Sequence, residues 1–328
     1  MLTSSKLPVY QDILAAAEVI EGHAFRTGLV SSDVLDEKLG ARIFFKPECL
    51  QRTGSFKFRG AFNAMHHIPD TARGTGVLAC SSGNHAQGIA EAARLKGYPA
   101  TIIMPADAPK AKVQRTRRSG ATVVEYDRHN DDREELTRVY AEERGMPIVH
   151  PFDNFNVIAG QGTAGLEISQ DLMAMGLELD HMLVCAGGGG LLAGTLLSTS
   201  HHFPNVKVHP VEPAGYDDLA RSHIAGERVG DNSKTPSVCD AIVTPMSGQL
   251  SFAICKGKLA EGLQVTDEEA LAAVAFAFRE MKLVVEPGGA VTLAALLAGK
   301  LDVTGKTVVA TLSGGNIDAD MMARALAL

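Results

Sequence analysis

The chain has 328 residues, of which 45% are hydrophobic and 21% charged, and its formal net charge is -7. This length can bury a large core and favours two domains, while the negative charge argues against a nucleic-acid or anionic-membrane surface. No apolar run approaches the roughly 18 residues of a membrane span. The first residues lack the pattern of a secretory signal, so we expect a cytoplasmic protein. The five cysteines form no CxxC pair, which argues against a disulfide framework or zinc knuckle.

The first half of the chain alternates short apolar runs with helical patterns. Helices are predicted at 13–20, 61–67, 85–96, 109–119 and 131–144, with a loop at 23–27. Strands are predicted at 42–47, 77–80, 100–104, 121–125 and 147–150. Strands that alternate with helices of about a dozen residues indicate βαβ units around a parallel sheet.

The second half repeats this alternation with longer elements. Helices are predicted at 156–175, 191–200, 267–282 and 288–298, and strands at 181–185, 207–211 and 307–311. The stretch 226–262, rich in Gly, Pro, Ser and Thr, has no assigned element. The pattern predicts two α/β domains with the active site in the cleft between them.

A single lysine, Lys57, lies between Phe56 and Phe58 and follows a Gly-Ser pair. A lysine held among apolar rings loses hydration, and this disfavours its charged form and lowers its pKa. A neutral amine is what a Schiff base with a carbonyl cofactor needs. The alternative interpretation is a surface lysine whose stem lies over the two rings.

Four polar side chains follow the strand predicted at 77–80, and they are Ser81, Ser82, Asn84 and His85. A strand-to-helix junction directs backbone N–H groups and a helix dipole towards an anion. The four side chains supply more hydrogen-bonding capacity than one helix cap requires. We therefore predict a cradle for a substrate carboxylate, with one side chain free to reach a cofactor; the alternative is an elaborate helix cap.

Four consecutive glycines, Gly187–Gly190, stand between a buried strand and a helix. Bare backbone amides in such a loop can wrap a phosphate. The same loop also matches a dinucleotide fingerprint through Gly188, Gly190 and Ala193, and Glu212 ends the next strand about twenty residues on. Taken alone, the loop would indicate an NAD-dependent dehydrogenase, which is the alternative from a different functional class.

The last predicted strand ends in Thr311-Leu-Ser-Gly-Gly-Asn316. Ser313 in this segment can donate a hydrogen bond to a ring nitrogen. The alternative interpretation is a simple turn between a strand and a helix.

Four segments together resemble one family: 55–60, 81–87, 187–191 and 313–316. In order and spacing they are similar to the fold-type II pyridoxal-phosphate (PLP) enzymes, and within these to the serine/threonine dehydratase and serine racemase branch. The resemblance implies an α/β fold like that of tryptophan synthase β, with two open twisted sheets and flanking helices. It also implies a large domain at 1–66 and 151–328, a small domain inserted at 76–150, and a homodimer.

The resemblance implies a role for each motif residue. Lys57 is the Schiff-base lysine, Asn84 lies near the ring 3-hydroxyl, and Ser313 is the partner of the pyridine nitrogen. Phe56 packs near the ring. The implied phosphate cradle consists of Gly187, Gly188, Gly189, Gly190 and Leu191.

The same resemblance implies substrate contacts by Ser81, Ser82, Asn84 and His85. Ser82 would place a proton on the face opposite the lysine, which would add racemase activity. Arg133 is similar to a family arginine that approaches the distal side of the substrate. In the site it would bind a second carboxylate bidentately and favour 3-hydroxyaspartate; the alternative is a surface ion-pair partner.

The segment 211–218 resembles the divalent-cation loop of this branch. Glu212 and Asp218 would supply carboxylates, and Tyr216 a backbone carbonyl. Hard oxygen ligands of this kind suit Mg²⁺ or Ca²⁺. The alternative interpretation is a solvated acidic start of a helix.

The predicted function is a PLP-dependent dehydratase, an ammonia-lyase that converts a β-hydroxy-α-amino acid such as L-threonine or L-serine to a 2-oxo acid. Lys57 would take the α-proton, and a serine at the pyridine nitrogen favours elimination over transamination. Same-class alternatives are a serine racemase or a dehydratase of 3-hydroxyaspartate or another unusual hydroxyamino acid, for example in hydroxyectoine catabolism. A non-catalytic amino-acid-binding module would have no need for the lysine.

Overall fold

The structure is a computed structural model that describes residues 6–108, 110–127, 130–230, 233 and 235–328. Its strands are β1 (Val30–Ser31), β2 (Arg42–Pro47), β3 (Val77–Cys80), β4 (Ala100–Pro105), β5 (Thr122–Tyr126), β6 (His181–Cys185), β7 (Lys207–Pro213), β8 (Leu263–Val265) and β9 (Thr307–Leu312). Six strands form one sheet in the order β1-β2-β9-β6-β7-β8, and three form a second in the order β3-β4-β5. β1 runs antiparallel to β2, whereas the other paired strands are parallel. The predicted α/β class with two sheets is confirmed.

Helices cover both sheets. They are α1 (Tyr10–Ile20), α2 (Asp33–Leu39), α3 (Lys57–His66), α4 (Asn84–Lys96), α5 (Lys110–Arg118), α6 (Arg133–Arg144), α7 (Phe155–Ala174), α8 (Gly190–His202), α9 (Asp218–Ala225), α10 (Gln249–Cys255), α11 (Asp267–Arg279), α12 (Pro287–Leu297) and α13 (Ala319–Leu326). Within the described ranges, none of these helices combines the length and the apolar character needed to cross a bilayer.

The central strands of the large sheet are buried on both faces. Successive side chains of a strand point to opposite faces, so Leu183 and Val308 join one core cluster with α11 and α12. Met182 and Val309 join another, formed largely by α7 and α8. Because the two faces are both covered, β6 and β9 are apolar along most of their length, as expected for parallel strands between helices.

Glycines bring three helices close together beneath the ends of the strands. A Cβ atom built on Gly160 of α7 would lie 2.7 Å from the Cα of Gly60 in α3. A Cβ on Gly194 of α8 would lie 2.5 Å from the backbone nitrogen of Gly162 in α7. Larger residues at these contacts would push the helices apart, so the small residues set how near the start of α3 lies to the start of α8.

A buried ionic cluster fixes the segment that leads into α3. Arg59 and Glu48 are both fully buried and pair at 2.8 Å. Arg59 also pairs with Glu167 at 2.7 Å, and Lys46 pairs with Glu167 at 2.5 Å. Each buried charge therefore has an opposite partner, and removing one of them would leave an uncompensated charge at a cost of about 3–5 kcal/mol.

Most of the predicted elements are present, but the strand predicted at 147–150 is wrong. Only Ile148 pairs there, in an isolated bridge with Leu78. Pro147 lacks a backbone donor, and the chain then turns, with the backbone nitrogen of Asp153 donating to His150 Nδ1 at 2.9 Å. The stretch 226–262 holds α10, which the sequence did not indicate. Residue 109, the predicted start of a helix, and residues 231, 232 and 234 lie outside the described residues.

The three strands of the small sheet all lie between residues 77 and 126. The six strands of the large sheet come from the chain before and after this segment. We propose that the small sheet and its helices form the inserted domain 76–150 and that 1–66 and 151–328 form the larger one. Residues 1–5 lie outside the described part of the chain.

Candidate active site

Lys57 is the first residue of α3 and lines a cavity at the ends of the strands. Its Nζ donates a hydrogen bond to the backbone carbonyl of Pro151 at 2.9 Å and lies 5.1 Å from the centre of the Phe56 ring. Desolvation in this position lowers the pKa of Lys57 to about 8. The neutral amine, which a carbonyl-binding lysine requires, is therefore far more populated near pH 7 than in an ordinary lysine.

The glycine loop 187–190 connects β6 to α8 and lines the same cavity. A Cβ on Gly188 would lie 2.2 Å from the ring of Phe152. Gly189 has a φ of +86°, in the left-handed region that favours glycine. The loop therefore has to be built of glycine, and it exposes bare amides at the start of α8, where an anion is stabilised.

The structure brings together all of the predicted cofactor residues. The same cavity is lined by Phe56, Lys57, Asn84, the glycine loop, Leu191 and Ser313. Ser313 directly follows β9, and its backbone carbonyl accepts a hydrogen bond from the backbone nitrogen of Phe56 at 3.1 Å. Three strand ends that are distant in sequence thus meet around the lysine.

Asn84 is held by two side chains, Glu286 and Asn316, whose roles the sequence motifs did not predict. Its Nδ2 donates to Glu286 Oε1 at 2.6 Å, and its Oδ1 accepts from Asn316 Nδ2 at 2.8 Å. Burial raises the pKa of Glu286 to about 7. The sequence did contain a signal for Glu286, because it is the only acidic residue in an apolar stretch at the start of α12. Acidic residues are rarely buried unless they have a partner.

The other polar residues of the β3–α4 junction lie beside this cavity. Ser81 and Ser82 are half-buried on the loop before α4, and Ser81 Oγ accepts a hydrogen bond from the backbone nitrogen of Gly83 at 3.2 Å. His85 is buried and its Nε2 lies 2.9 Å from the carbonyl of Val149. Desolvation, with the positive charge of Lys57, lowers the pKa of His85 to about 3, so this imidazole is neutral.

Arg133 lies at the start of α6 and lines a neighbouring cavity of about 660 Å³. Its side chain is about half exposed and pairs with Glu134 at 2.7 Å. Pro151 lines both cavities, so the space in front of Arg133 adjoins the carbonyl that holds Lys57. The structure does not place Arg133 in the lysine's own cavity.

The predicted cation residues lie at the end of β7 and the start of α9. Glu212 is buried, and its two carboxylate oxygens accept from the backbone nitrogens of Leu219 at 3.0 Å and Ala220 at 2.9 Å. Asp218 is buried nearby, and Tyr216 lies between them in sequence. In the part of the chain that the structure covers, no group of three or more His, Cys, Asp or Glu side chains gathers in a way that could hold a metal ion by side chains alone.

This geometry disfavours the dinucleotide interpretation of the glycine loop. In that interpretation Glu212 would bind a ribose hydroxyl. Both of its oxygens instead accept hydrogen bonds from the first turn of α9, and the loop faces Lys57, for which a dinucleotide site has no use.

Comparison with known proteins identifies the class. Residues 20–314 match the family described as pyridoxal-phosphate dependent enzyme, and the chain belongs to this family. An L-threo-3-hydroxyaspartate ammonia-lyase from Pseudomonas sp is 45% identical, covering 98% of this chain and 99% of its own. A serine racemase from Schizosaccharomyces pombe is 41% identical, covering 98% of both chains. A crystal structure of a threonine deaminase from T.th. superposes with a TM-score of 0.88 and 41% identity over 95% of this chain and 99% of its own.

The residues present fit pyridoxal phosphate. The loop 187–190 leaves a cradle that a side chain at Gly188 would fill. Lys57 faces that cradle with a lowered pKa, and Asn84 and Ser313 line the same space. The predicted family and the dependence on this cofactor are confirmed by the family match.

Proposed function

We propose that this protein is a PLP-dependent ammonia-lyase that eliminates water from a β-hydroxy-α-amino acid, after which the released enamine tautomerises and takes up water to give a 2-oxo acid and ammonia. The observation that carries the proposal is that Lys57 and the glycine loop line one cavity. The pKa of Lys57 is lowered there, and its hydrogen-bond acceptor is a backbone carbonyl rather than a carboxylate. The names of its relatives, which include ammonia-lyases for hydroxyaspartate and threonine, support the reaction class.

Five features of the chain would hold the cofactor. The glycine loop would bind the phosphate, Lys57 the aldehyde carbon, Asn84 the ring 3-hydroxyl and Ser313 the ring nitrogen, with Phe56 beside the ring. When bound, pyridoxal phosphate supplies an electron sink that makes the α-proton of an amino acid acidic. Ser313 is a neutral partner, so it does not favour a protonated ring, and this limits side reactions such as transamination.

Lys57 would act as the base that removes the α-proton of the substrate. A neutral Nζ accepts the α-proton of the substrate, and its pKa of about 8 makes this neutral form far more populated near neutral pH than in an ordinary lysine. The carbonyl of Pro151 accepts from Nζ at 2.9 Å and keeps the amine oriented in the cavity. General-base catalysis of this kind contributes about 10²–10⁴-fold.

The substrate carboxylate would lie at the start of α4. Ser81, Ser82 and Asn84 surround this helix end, and a helix N-terminus stabilises a negative charge. His85 would complete the junction, as a neutral side chain that adds no competing charge. Ser82 would carry a proton on the face opposite Lys57, so serine racemase activity is a second candidate function, favoured by the 41% identity to a serine racemase.

For the substrate we propose L-threo-3-hydroxyaspartate ahead of L-threonine and L-serine. Arg133 lines the cavity of about 660 Å³ that adjoins the carbonyl of Pro151. A guanidinium there can bind the second carboxylate of hydroxyaspartate bidentately. L-threonine and L-serine have no second carboxylate. The relative with 45% identity is named for hydroxyaspartate, which supports this choice.

Arg138 provides a matched control for Arg133. It lies five residues further along α6, lines the same cavity and is about half exposed, but pairs with Glu135 and Glu142. We expect Arg133→Ala to lower kcat/KM for hydroxyaspartate by about 10–100-fold and to leave that for L-threonine within about threefold. Arg138→Ala would change neither. Equal losses for both substrates in Arg133→Ala would contradict the assignment.

We also propose that a divalent cation, Mg²⁺ or Ca²⁺, binds beside Glu212, Asp218 and the backbone carbonyl of Tyr216. Support comes from two buried carboxylates on one segment, 211–218, and from the preference of these cations for oxygen ligands. The melting temperature should rise on adding MgCl₂ or CaCl₂ to chelator-treated protein and should not rise in Asp218→Asn. No shift in the wild type would refute the cation site and leave the lyase assignment standing.

We propose that the protein is cytoplasmic and forms a homodimer; the homodimer rests on the family resemblance alone. Size-exclusion chromatography with light scattering gives the mass directly, and the 34.6 kDa chain makes a monomer and a dimer easy to separate. A mass of one chain at micromolar concentration would exclude the dimer.

An absorption spectrum of the purified protein tests the central proposal. Wild type should show a visible band from lysine-bound pyridoxal phosphate, and borohydride should abolish it while fixing the cofactor to the protein. Lys57→Ala should lack the trapped product. A colourless protein that pyridoxal phosphate fails to reconstitute would overturn the assignment.

A further inference from the structure

Gln161 is a polar residue in the buried middle of α7, with only 1% of its surface exposed. Its Oε1 accepts a hydrogen bond from the backbone nitrogen of Gly60 at 3.1 Å. Because Gly60 N–H is a donor, this contact also fixes which end of the amide is which. The remaining group is Nε2, which is buried and has no hydrogen-bond partner among the described residues.

An unpaired buried donor is costly. Leaving one without an acceptor costs about 1–3 kcal/mol, and native proteins satisfy most of them with protein, water or ligand atoms. Gln161 lines the same cavity as Lys57 and the glycine loop. A ligand that fills that cavity can therefore supply the acceptor for Nε2.

The surroundings of Gln161 favour a phosphate oxygen as that acceptor. Two helices begin at this cavity, α3 at Lys57 and α8 at Gly190, and both starts attract an anion. Gln161 lies on α7, which packs against both helices: a Cβ on Gly60 would lie 2.5 Å from Gln161 Nε2. Phosphate oxygens accept several hydrogen bonds and donate none in the dianion, so they suit an amide donor added to backbone N–H groups.

We propose that Gln161 Nε2 donates a hydrogen bond to a phosphate oxygen of bound pyridoxal phosphate, while Oε1 holds the first turn of α3. The inference rests on the proposed cofactor-dependent function. One side chain would then join the phosphate seat to the helix that begins at Lys57. Loss of the donor weakens the phosphate contact, whereas loss of Oε1 loosens the helix that presents the lysine.

Comparing pyridoxal phosphate with pyridoxal, which lacks the phosphate, isolates this contact. Cofactor-free protein is titrated with each compound, and the two dissociation constants are measured by absorption. Gln161→Glu keeps an acceptor for Gly60 but removes the donor and can add a repelling charge. We expect it to weaken pyridoxal phosphate about 10–100-fold and to leave pyridoxal within about threefold. The ³¹P resonance of the bound cofactor should also shift.

Gln87 provides the matched control, because it is a second buried glutamine whose Nε2 has no partner among the described residues. It lies on α4, about one turn after Asn84, but is not among the residues that line the cavity. Gln87→Glu should therefore leave the ratio of the two dissociation constants unchanged.

The outcomes separate the inference from the proposed function. If Gln161→Glu weakens both compounds equally, or neither, the phosphate contact is refuted. If melting curves show that Gln161→Glu does not fold, Gln161→Met, which has a similar volume and no charge, is judged by the same ratio. If wild type itself binds no pyridoxal phosphate, the failure lies with the proposed function.

Discussion

Two desolvated lysines, Lys46 and Lys57, have opposite surroundings. Lys46 is fully buried in the ionic cluster, and its Nζ bonds to Glu167 at 2.5 Å. Lys57 lines the active-site cavity and bonds to the neutral carbonyl of Pro151. Desolvation lowers the pKa of both, but carboxylates oppose the shift only for Lys46. The comparison shows that a lysine with a carboxylate partner serves to stabilise the fold. A desolvated lysine without such a partner keeps an amine that can react.

Two buried glutamates follow the same division. Glu48 lies in the ionic cluster and pairs with Arg59 at 2.8 Å, and this arginine overcomes burial to lower the pKa of Glu48. Glu286 lines the active-site cavity and accepts from the neutral amide of Asn84, and burial raises its pKa to about 7. The cavity thus holds one basic group, Lys57, and one acidic group, Glu286, each hydrogen-bonded to a neutral group and not to an opposite charge. Titratable groups with shifted pKa values are common in active sites.

The largest expected effect is the loss of activity in Lys57→Ala. Removing the base and the cofactor-binding amine together should lower kcat by about 10⁴-fold or more. Steady-state assays of 2-oxo acid release measure it, with melting temperature as the check on folding. Residual activity within tenfold of wild type would mean that another group acts as the base.

Lys46→Met should have the opposite signature, a large loss of stability with little change in chemistry. Glu167 would keep Arg59 but lose one of its two cationic partners. We expect the free energy of unfolding to fall by about 3 kcal/mol, measured by urea denaturation, with kcat of the folded enzyme within about threefold of wild type. A stability equal to wild type would show that the cluster does not depend on this lysine.

Lys57→Met should stabilise the cofactor-free protein below pH 8. The pKa of Lys57 is about 8 when folded and about 10.4 in an unfolded chain. Between these values the unfolded state binds more protons, so wild-type stability rises with pH through this window and is reduced below it. We expect an advantage of about 1–3 kcal/mol for Lys57→Met at pH 7 that vanishes near pH 10.5.

Urea denaturation of both proteins across this range measures the difference. Lys46→Met, treated in the same way, should be less stable than wild type at every pH. A Lys57→Met protein that is also less stable throughout would show that the two lysines have the same role, and the comparison would fail.

The sequence predicted the parts of the site that belong to local motifs and missed Glu286 and Gln161, which lie at or on distant helices. Lys57, Asn84, the glycine loop and Ser313 belong to local motifs, and the carboxyl ends of parallel strands bring such motifs together. Gln161 gave no comparable signal, because its contact with Gly60 spans 101 positions in the chain.

The fold was predictable to a similar extent, and for a similar reason. Buried parallel strands such as β6 and β9 are continuous apolar runs, which composition reveals directly. α10 has seven residues and lies in a stretch rich in turn-forming residues, too short for a helical period to emerge. The strand predicted at 147–150 failed because apolar residues beside prolines carry no ladder beyond one bridge.

The smallest expected effect concerns the glutamates. The pKa of Glu286 is about 7 when folded and about 4.3 in an unfolded chain. The folded state binds more protons in this window, so wild-type stability falls as pH rises from about 4.3 to 7. Glu286→Gln cannot ionise and should be more stable than wild type at pH 8 by about 1–2 kcal/mol, with no advantage at pH 4.

Glu48→Gln should be less stable at pH 8, since Arg59 would lose its buried partner. Urea denaturation at the two pH values decides the matter: if both substitutions destabilise at pH 8, Glu286 is a structural charge like Glu48, and the division between cluster and cavity does not hold.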